Sequence, residues 1–391
     1  MRAATRCVHH GPGNDPYGSI CAPLYQTATF RQPSASGFGE YDYTRSGNPT
    51  RTLLQDQLAA LEGGTYACAF ASGMAALTAV TRLVKNGEHI VVGADLYGGS
   101  VRLFESLSER EHVSISYVDT SDLKAFNEAL TPQTRLVLIE TPGNPLFRIS
   151  DIRKVAEATH RVGAILAVDN SMLSPIFQQP LSLGADLVIH SATKFLCGHT
   201  DVIAGVVITN DWNLQKQIAF TQNAEGAALS PFDCWLLLRG LKTLALRVER
   251  QSETAARIAQ FLKAHPQVKE VYYPAFAEPD RYAIQRTQAT SDGAVMSFTT
   301  GDPELSTQIV ESLLLFEIAV SFGSVGSTIS LPCEMSHLSI PRSLRSRLGP
   351  PRDLVRLSVG IEDVDDLITD LEQAFRRASV LSRKPVNPQP C

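Results

Sequence analysis

Residues 184–200 read GADLVIHSATKFLCGHT. The apolar run at 187–189 is bounded by the small polar residues that end strands and open loops, and it delivers a single lysine, Lys194. No Asp, Glu, Arg or further Lys lies between Asp186 and His199, and Phe195, Leu196 and Cys197 follow the lysine directly. Apolar surroundings disfavour the charged form of an amine, which makes it a nucleophile able to condense with a carbonyl. Taken alone, a lysine after a strand is equally a solvated loop residue.

Two further stretches change that balance. Twenty-five residues upstream, AILAVDNSM (164–172) ends an apolar strand on a carboxylate, Asp169. By itself that carboxylate serves as well for an N-cap or a buried ion pair. Earlier, Ser72-Gly73-Met74 follows the strand at 67–70 and opens the helical run AALTAVTRLV (75–84). The backbone N–H groups of such a turn, with the helix dipole behind them, suit a phosphate. The GxGxxG fingerprint of dinucleotide binders is absent, which argues against a nicotinamide enzyme.

Around these stretches strands and helices alternate. The pattern predicts strands at 67–70, 90–93, 114–118, 136–140, 165–169, 187–190 and 202–209, most of them separated by helical segments. Near-continuous apolar strands of this kind form a buried, mainly parallel sheet covered by helices on both faces. Ligands of open parallel sheets bind outside the carboxyl ends of the strands. Phosphate turn, carboxylate and lysine can therefore converge on one cleft, and together they are what pyridoxal 5'-phosphate requires: an amine for the Schiff base, a partner for the pyridine nitrogen and a phosphate anchor. Ser191 and Thr193 add hydroxyls beside the lysine, and Tyr97, after another strand, could stack on the ring.

The flanks are less regular. Residues 1–47 show no sustained helical period; about the first fifteen read as an unstructured tail, and the aromatic-rich remainder as an extended segment packed against another subunit. Asn48-Pro49-Thr50 is a helix start. One long helix is predicted over 232–264, bridging to an α+β region with strands at 268–273, 294–299, 318–322 and 354–358. A closing helix carries Val364, Leu367, Ile368, Leu371 and Phe375 on one stripe, with Asp residues at its start and Arg residues at its end, as the helix dipole favours. The tail at 383–391 reads as disordered. The division expected is an N-terminal arm at 1–50, a cofactor domain at 51–250 and a C-terminal α+β domain at 251–391.

Composition narrows the function. The chain has 391 residues, 44% apolar and 19% charged, with a net charge of −5, and it carries no basic cluster suited to nucleic acid. No apolar run is long enough for a membrane span, so neither nucleic acid nor membrane is an expected partner. Seven scattered cysteines without ligand spacing fit reduced thiols, and no metal site is expected. The N-terminus lacks the hydrophobic core of a secretory signal, so the expected location is the cytoplasm, or an organelle stroma if a transit peptide has been removed.

YDYTRSGNPT (41–50), FASGMAA (70–76), DLYGG (95–99), ETPGNP (140–145), VDNS (168–171), HSATKFLCGH (190–199) and VRLSVGIED (355–363) resemble, in order, motifs of the Cys/Met-metabolism family of PLP-dependent enzymes. PLYQTATF (23–30), SPFDCWLLLRGLKT (230–243) and IAVSFGSV (318–325) resemble its plant-type cystathionine β-lyase branch most. The resemblance implies an α/β chain with the type I, aspartate aminotransferase-like PLP-dependent transferase fold and a smaller α+β C-terminal domain. It implies Lys194 as Schiff-base lysine and proton carrier, Asp169 as pyridinium partner and Tyr97 as stacking residue that assists proton transfer. Gly73, Met74, Ser191 and Thr193 would hold the phosphate, joined by Tyr43 and Arg45 from a neighbouring subunit, and Tyr43 would also border the substrate.

Asn144 would lie near the ring hydroxyl, and Arg356, helped by Ser321, would bind the substrate α-carboxylate. The implied assembly is a homotetramer and the implied substrate an amino-acid thioether. Val320 stands where γ-acting members usually carry glutamate, and Gly99 where methionine γ-lyases carry cysteine. Phe322-Gly323-Ser324 departs from the common Leu-Gly-Gly. The alternatives are γ-elimination or γ-synthesis on the same scaffold, a broader carbon–sulfur β-lyase, and a non-catalytic regulatory protein that keeps the fold.

Overall fold

A computed structural model describes residues 1–9, 17–338 and 340–381. The chain builds two sheets. The larger comprises β1 (Tyr66–Phe70), β2 (His89–Gly93), β3 (Ser114–Val118), β4 (Thr134–Glu140), β5 (Ile165–Asp169), β6 (Leu187–Ser191) and β7 (Gly205–Thr209), in the order β1-β7-β6-β5-β4-β2-β3. The β3/β2, β2/β4, β4/β5 and β5/β6 pairs are parallel, while β7 runs antiparallel to both β6 and β1. The predicted mainly parallel sheet is thus formed, with strand ends shifted by up to three residues. Apolar side chains alternate between two cores, one face of the sheet burying Ala167, Leu187 and Ile189 and the other Leu166 and Val168. The register aligns Glu140 with Asp169 and Asp169 with Ile189, so the carboxyl ends of β4, β5 and β6 finish side by side.

The smaller sheet comprises β8 (Glu270–Tyr272), β9 (Val295–Thr299), β10 (Glu317–Ile318), β11 (Thr328–Ser330) and β12 (Leu354–Ser358), in the order β10-β11-β12-β9-β8. The closing helix, Val364–Leu381, packs its apolar stripe into the core shared with this sheet, where Leu367, Leu371 and Phe375 are fully buried.

Three expectations are corrected. The predicted helix at 232–264 is two helices, Pro231–Leu241 and Leu244–Ala264. The apolar period runs on through the break, but the Gly240 carbonyl accepts from Arg247 Nη2 at 3.0 Å. Gly240 is also pressed against the Cys197 carbonyl, which a Cβ there would approach to 2.5 Å. The predicted strand at 318–322 shrinks to Glu317–Ile318 because Ser321 turns to φ 92°, outside any strand geometry. Within the first fifteen residues, Ala3–Val8 is a helix with Cys7 buried, held by Gln57 Nε2, which donates to the Arg6 and Cys7 carbonyls at 3.2 and 2.9 Å. One helical turn is too short to leave a period in the sequence. The tail at 383–391 lies outside the described residues.

The helix start at Asn48 is as expected: its side chain accepts from the Thr50 N–H, proline occupies the first turn, and Gly63 closes the helix in the left-handed conformation. No helix among the described residues is long and apolar enough to cross a membrane.

Candidate active site

The turn after β1 delivers the first group. Ser72 caps helix Gly73–Thr81 by accepting from Ala75 N–H at 3.0 Å, and the N–H groups of Gly73 and Met74, in the first turn, have no intrahelical acceptor. Gly73 packs so closely on β6 that a Cβ would meet Ser191 Cβ at 2.9 Å. The helix N-terminus and the Ser191 side chain therefore share one corner. The Thr193 hydroxyl is engaged with Ala204, accepting its N–H at 3.0 Å.

Asp169 ends β5 and accepts from the Ser171 N–H at 2.9 Å. Burial raises its pKa, with Ser171, His190 and Lys194 acting in the opposite direction. Lys194 lies three residues beyond β6, and its Nζ donates to Ser321 Oγ at 2.5 Å. Burial pulls the ammonium down from 10.5 to about 8; Arg356 adds to the lowering, and Asp169 and Glu140 oppose it. Near neutral pH about a tenth of such an amine is unprotonated, far more than of an ordinary lysine.

The opposite wall comes from the small sheet. Arg356, on β12 and 2% exposed, donates from Nη1 to Asn144 Oδ1 at 2.9 Å and from Nη2 to the Ser321 carbonyl at 3.1 Å. Burial lowers its pKa to about 10, with Glu140 and Tyr97 opposing. Phe322 sits between the two cations, its ring centroid 5.1 Å from Lys194 Nζ and 5.5 Å from Arg356 Cζ. Gly323 crosses the backbone at Lys194, where a Cβ would come within 2.7 Å of Phe195 N. Tyr97, 43% exposed, stands at the N-cap position of helix Gly98–Glu111 without a side-chain capping bond. A Cβ on Gly99 would lie 2.4 Å from Tyr97 Cε1, so any side chain there moves the ring.

Tyr43 and Arg45 are not brought to this cleft by their own chain. Tyr43 is 42% exposed, and Arg45 Nη1 donates to the carbonyl and Oδ1 of Asn223 at 2.9 and 2.7 Å. Buried Arg51 fixes this turn from within, donating to the carbonyls of Thr44, Arg45 and Leu229.

Several groups of the site escaped the sequence reading. Glu140 ends β4 level with Asp169, and burial together with Asp169 and Asp95 raises its pKa well above the ordinary range. It carries the same signal that exposed Asp169, a carboxylate closing an apolar strand. Asp95 accepts from the Leu146 and Arg148 N–H groups and so braces the 140–148 loop; burial raises its pKa to about 6. His337, 2% exposed, contacts the Asn144 carbonyl through Nε2 at 3.3 Å, and burial lowers its pKa to about 4. Behind β6, His190 and Glu62 pair at 2.7 Å, both buried. His337 and Glu62 lie in loop and helix positions that carry no pattern.

The residues present fit pyridoxal phosphate by their donor set. Unpaired N–H groups at a helix N-terminus suit its phosphate. A buried carboxylate with no cation within ion-pair distance among the described residues suits a protonated ring nitrogen, and an amine of low pKa suits its aldehyde.

The family model described as Cys/Met metabolism PLP-dependent enzyme matches residues 4–376. A protein of Arabidopsis thaliana named cystathionine beta-lyase, chloroplastic, is 54% identical over 93% of this chain and 78% of its own. One of Bacillus subtilis named cystathionine gamma-lyase is 43% identical over 96% of this chain and 99% of its own. Among solved structures, a cystathionine gamma synthase of Xanthomonas oryzae pv. oryzae in complex with cystathionine superposes with a TM-score of 0.94 at 41% identity, covering 97% of this chain and 99% of that one.

Proposed function

The chain belongs to the family of Cys/Met metabolism PLP-dependent enzymes and has their type I fold, and from that premise we propose that it is a cystathionine β-lyase, converting L-cystathionine to homocysteine, pyruvate and ammonia. Pyridoxal phosphate supplies the electron sink that makes the substrate Cα proton acidic. The protein supplies everything else. Gly73 and Met74 N–H groups, with the Ser191 and Thr193 side chains, would hold the phosphate, and the Asp169 carboxylate would keep the ring nitrogen protonated. Arg356 has two of its five N–H donors spent on Asn144 and the Ser321 carbonyl, which aims the remainder at the substrate α-carboxylate.

Lys194 Nζ is the base that would take the substrate Cα proton. Ser321 Oγ, 2.5 Å away, holds that amine on the reacting side. Tyr97 would stack on the cofactor ring and assist proton transfer.

The observation that carries β- over γ-elimination is Val320, an exposed apolar residue next to Ser321 where γ-acting relatives would carry glutamate. γ-Elimination removes a second proton, from Cβ, and Val320 offers no group for it. Product analysis with purified enzyme and cystathionine decides the matter: homocysteine and pyruvate are expected, whereas cysteine and 2-oxobutyrate would overturn the assignment.

Tyr43 and Arg45 are read as parts of a partner's cleft, which makes the dimer the smallest active unit, within a homotetramer. What supports this is their outward exposure on a turn braced by Arg51. The chain is divided into the arm at 1–50, the cofactor domain at 51–250 and the domain at 251–391. A reducing compartment, cytoplasm or stroma, suits the free cysteines among the described residues.

A further inference from the structure

A second hollow opens away from the cofactor cleft, at the seam between the two sheet layers. There Gln178 bridges to Ala289 and the Thr290 N–H donates to the Phe177 carbonyl at 2.9 Å. The cleft beside this seam has a volume of about 470 Å³, within the range of small-molecule sites. Three arginines from three parts of the chain line it: Arg6 from helix Ala3–Val8, Arg153 from helix Ile152–Arg161 and Arg286 from helix Pro279–Gln288.

Among the described residues no Asp or Glu lines the cleft. Arg6 and Arg286 donate to backbone carbonyls, of Ala60 at 2.7 Å and Thr290 at 3.4 Å, and among the described residues neither has a carboxylate within ion-pair distance. Asp292 feels the Arg286 charge but is not on the wall. In a chain of net charge −5, three guanidinium groups on one concave surface run against the overall balance. A concave surface of one sign concentrates counter-ions, and guanidinium groups match phosphate oxygens two at a time.

The same cleft is lined by the buried amides of Gln178 and Gln288. Gln178 Nε2 is committed to the Thr141 carbonyl and to Asn170 Oδ1, at 2.8 and 3.2 Å, while its Oε1 is buried without a hydrogen-bond partner. That oxygen is enclosed, so the amide shapes the wall and leaves recognition to the arginines.

We propose that this cleft is a binding site for the phosphate group of a small phosphate-bearing molecule, separate from the place where the cofactor phosphate sits. It shares no residue with the Gly73, Met74, Ser191 and Thr193 corner. Because its arginines come from both layers, an anion there ties the two together, and by mass action it stabilises the folded chain.

The test uses enzyme saturated with pyridoxal phosphate, so that the cofactor position is filled, and titrates glycerol 3-phosphate and inorganic phosphate calorimetrically at ionic strength held constant with chloride. One saturable site per chain is expected, for glycerol 3-phosphate and for phosphate alike. In Arg153→Ala/Arg286→Ala affinity falls about 100-fold, taking roughly tenfold for each charge-assisted contact. Cystathionine turnover by that variant stays unchanged, which also reports that it is folded. Single Arg153→Gln gives about a tenfold loss. Binding that never saturates, or that is equal in wild type and the double variant, overturns the proposal.

Discussion

Asp169 and Lys194 leave the ends of β5 and β6, where a parallel ladder sets Glu140, Asp169 and Ile189 at one level. Across the cleft, Ser321 sits at φ 92° three residues past the end of a two-residue strand, and Arg356 reaches in from β12. The first wall is positioned by backbone hydrogen bonds over most of a seven-stranded sheet. The second depends on individual contacts that span the gap: Arg356 to Asn144, Arg356 to the Ser321 carbonyl, and Lys194 to Ser321 Oγ. Ladder-fixed groups are hard to move and suit chemistry common to many substrates. Contact-fixed groups can be retuned one residue at a time, which suits the choice of substrate and of bond.

That contrast can be broken or sharpened by substitution. Lys194→Ala should lower cystathionine turnover by about 10⁴-fold or more, measured as pyruvate release, because general base and covalent anchor are lost together. Arg356→Lys keeps the charge but loses the two-pronged geometry, so KM should rise about 100-fold with a smaller change in kcat; steady-state kinetics separate the two. Equal falls in kcat from both substitutions would erase the distinction between the walls.

Ser321→Gly should uncouple stability from activity. Glycine accepts φ 92° without strain, so despite its greater freedom when unfolded the variant should gain about 1 kcal/mol, seen as a higher Tm. Activity should fall, since the hydroxyl beside Lys194 Nζ is gone, and Ser321→Ala should lose activity without the gain.

The smallest effect is a shift in pH. In cofactor-free protein, acylation of Lys194, followed by peptide mass spectrometry, should rise with pH to a midpoint near 8, because only the unprotonated amine reacts. Arg356 is one cause of that lowering, so Arg356→Ala should move the midpoint upward.

How much of this was legible in the sequence follows the same division. β4, β5 and β6 announce themselves as apolar runs ending in a polar residue, and the apolar run through β6 leads on to Lys194. Glu140 gave the same signal, yet stands beside Asp169 as a second buried carboxyl only through the register of β4 on β5. The break after Leu241 left no trace, because the apolar period continues across it and the cause is Arg247 on the next helix taking the Gly240 carbonyl. Ser321 lies in the run IAVSF, which reads as a strand; its positive φ occurs where the chain packs Gly323 over the Lys194 backbone, a tertiary contact. His337, Glu62 and the three arginines at the seam come together only through tertiary structure, to which local periodicity is blind.

The central claim is that the fold prepares one amine, Lys194, for the cofactor. Borohydride reduction of the holoenzyme, followed by digestion and peptide mass spectrometry, tests it directly. One pyridoxyl group per chain, on the peptide containing Lys194, is the predicted result, with loss of the visible absorbance. A label on any other lysine, or none at all in protein that retains activity, would contradict it.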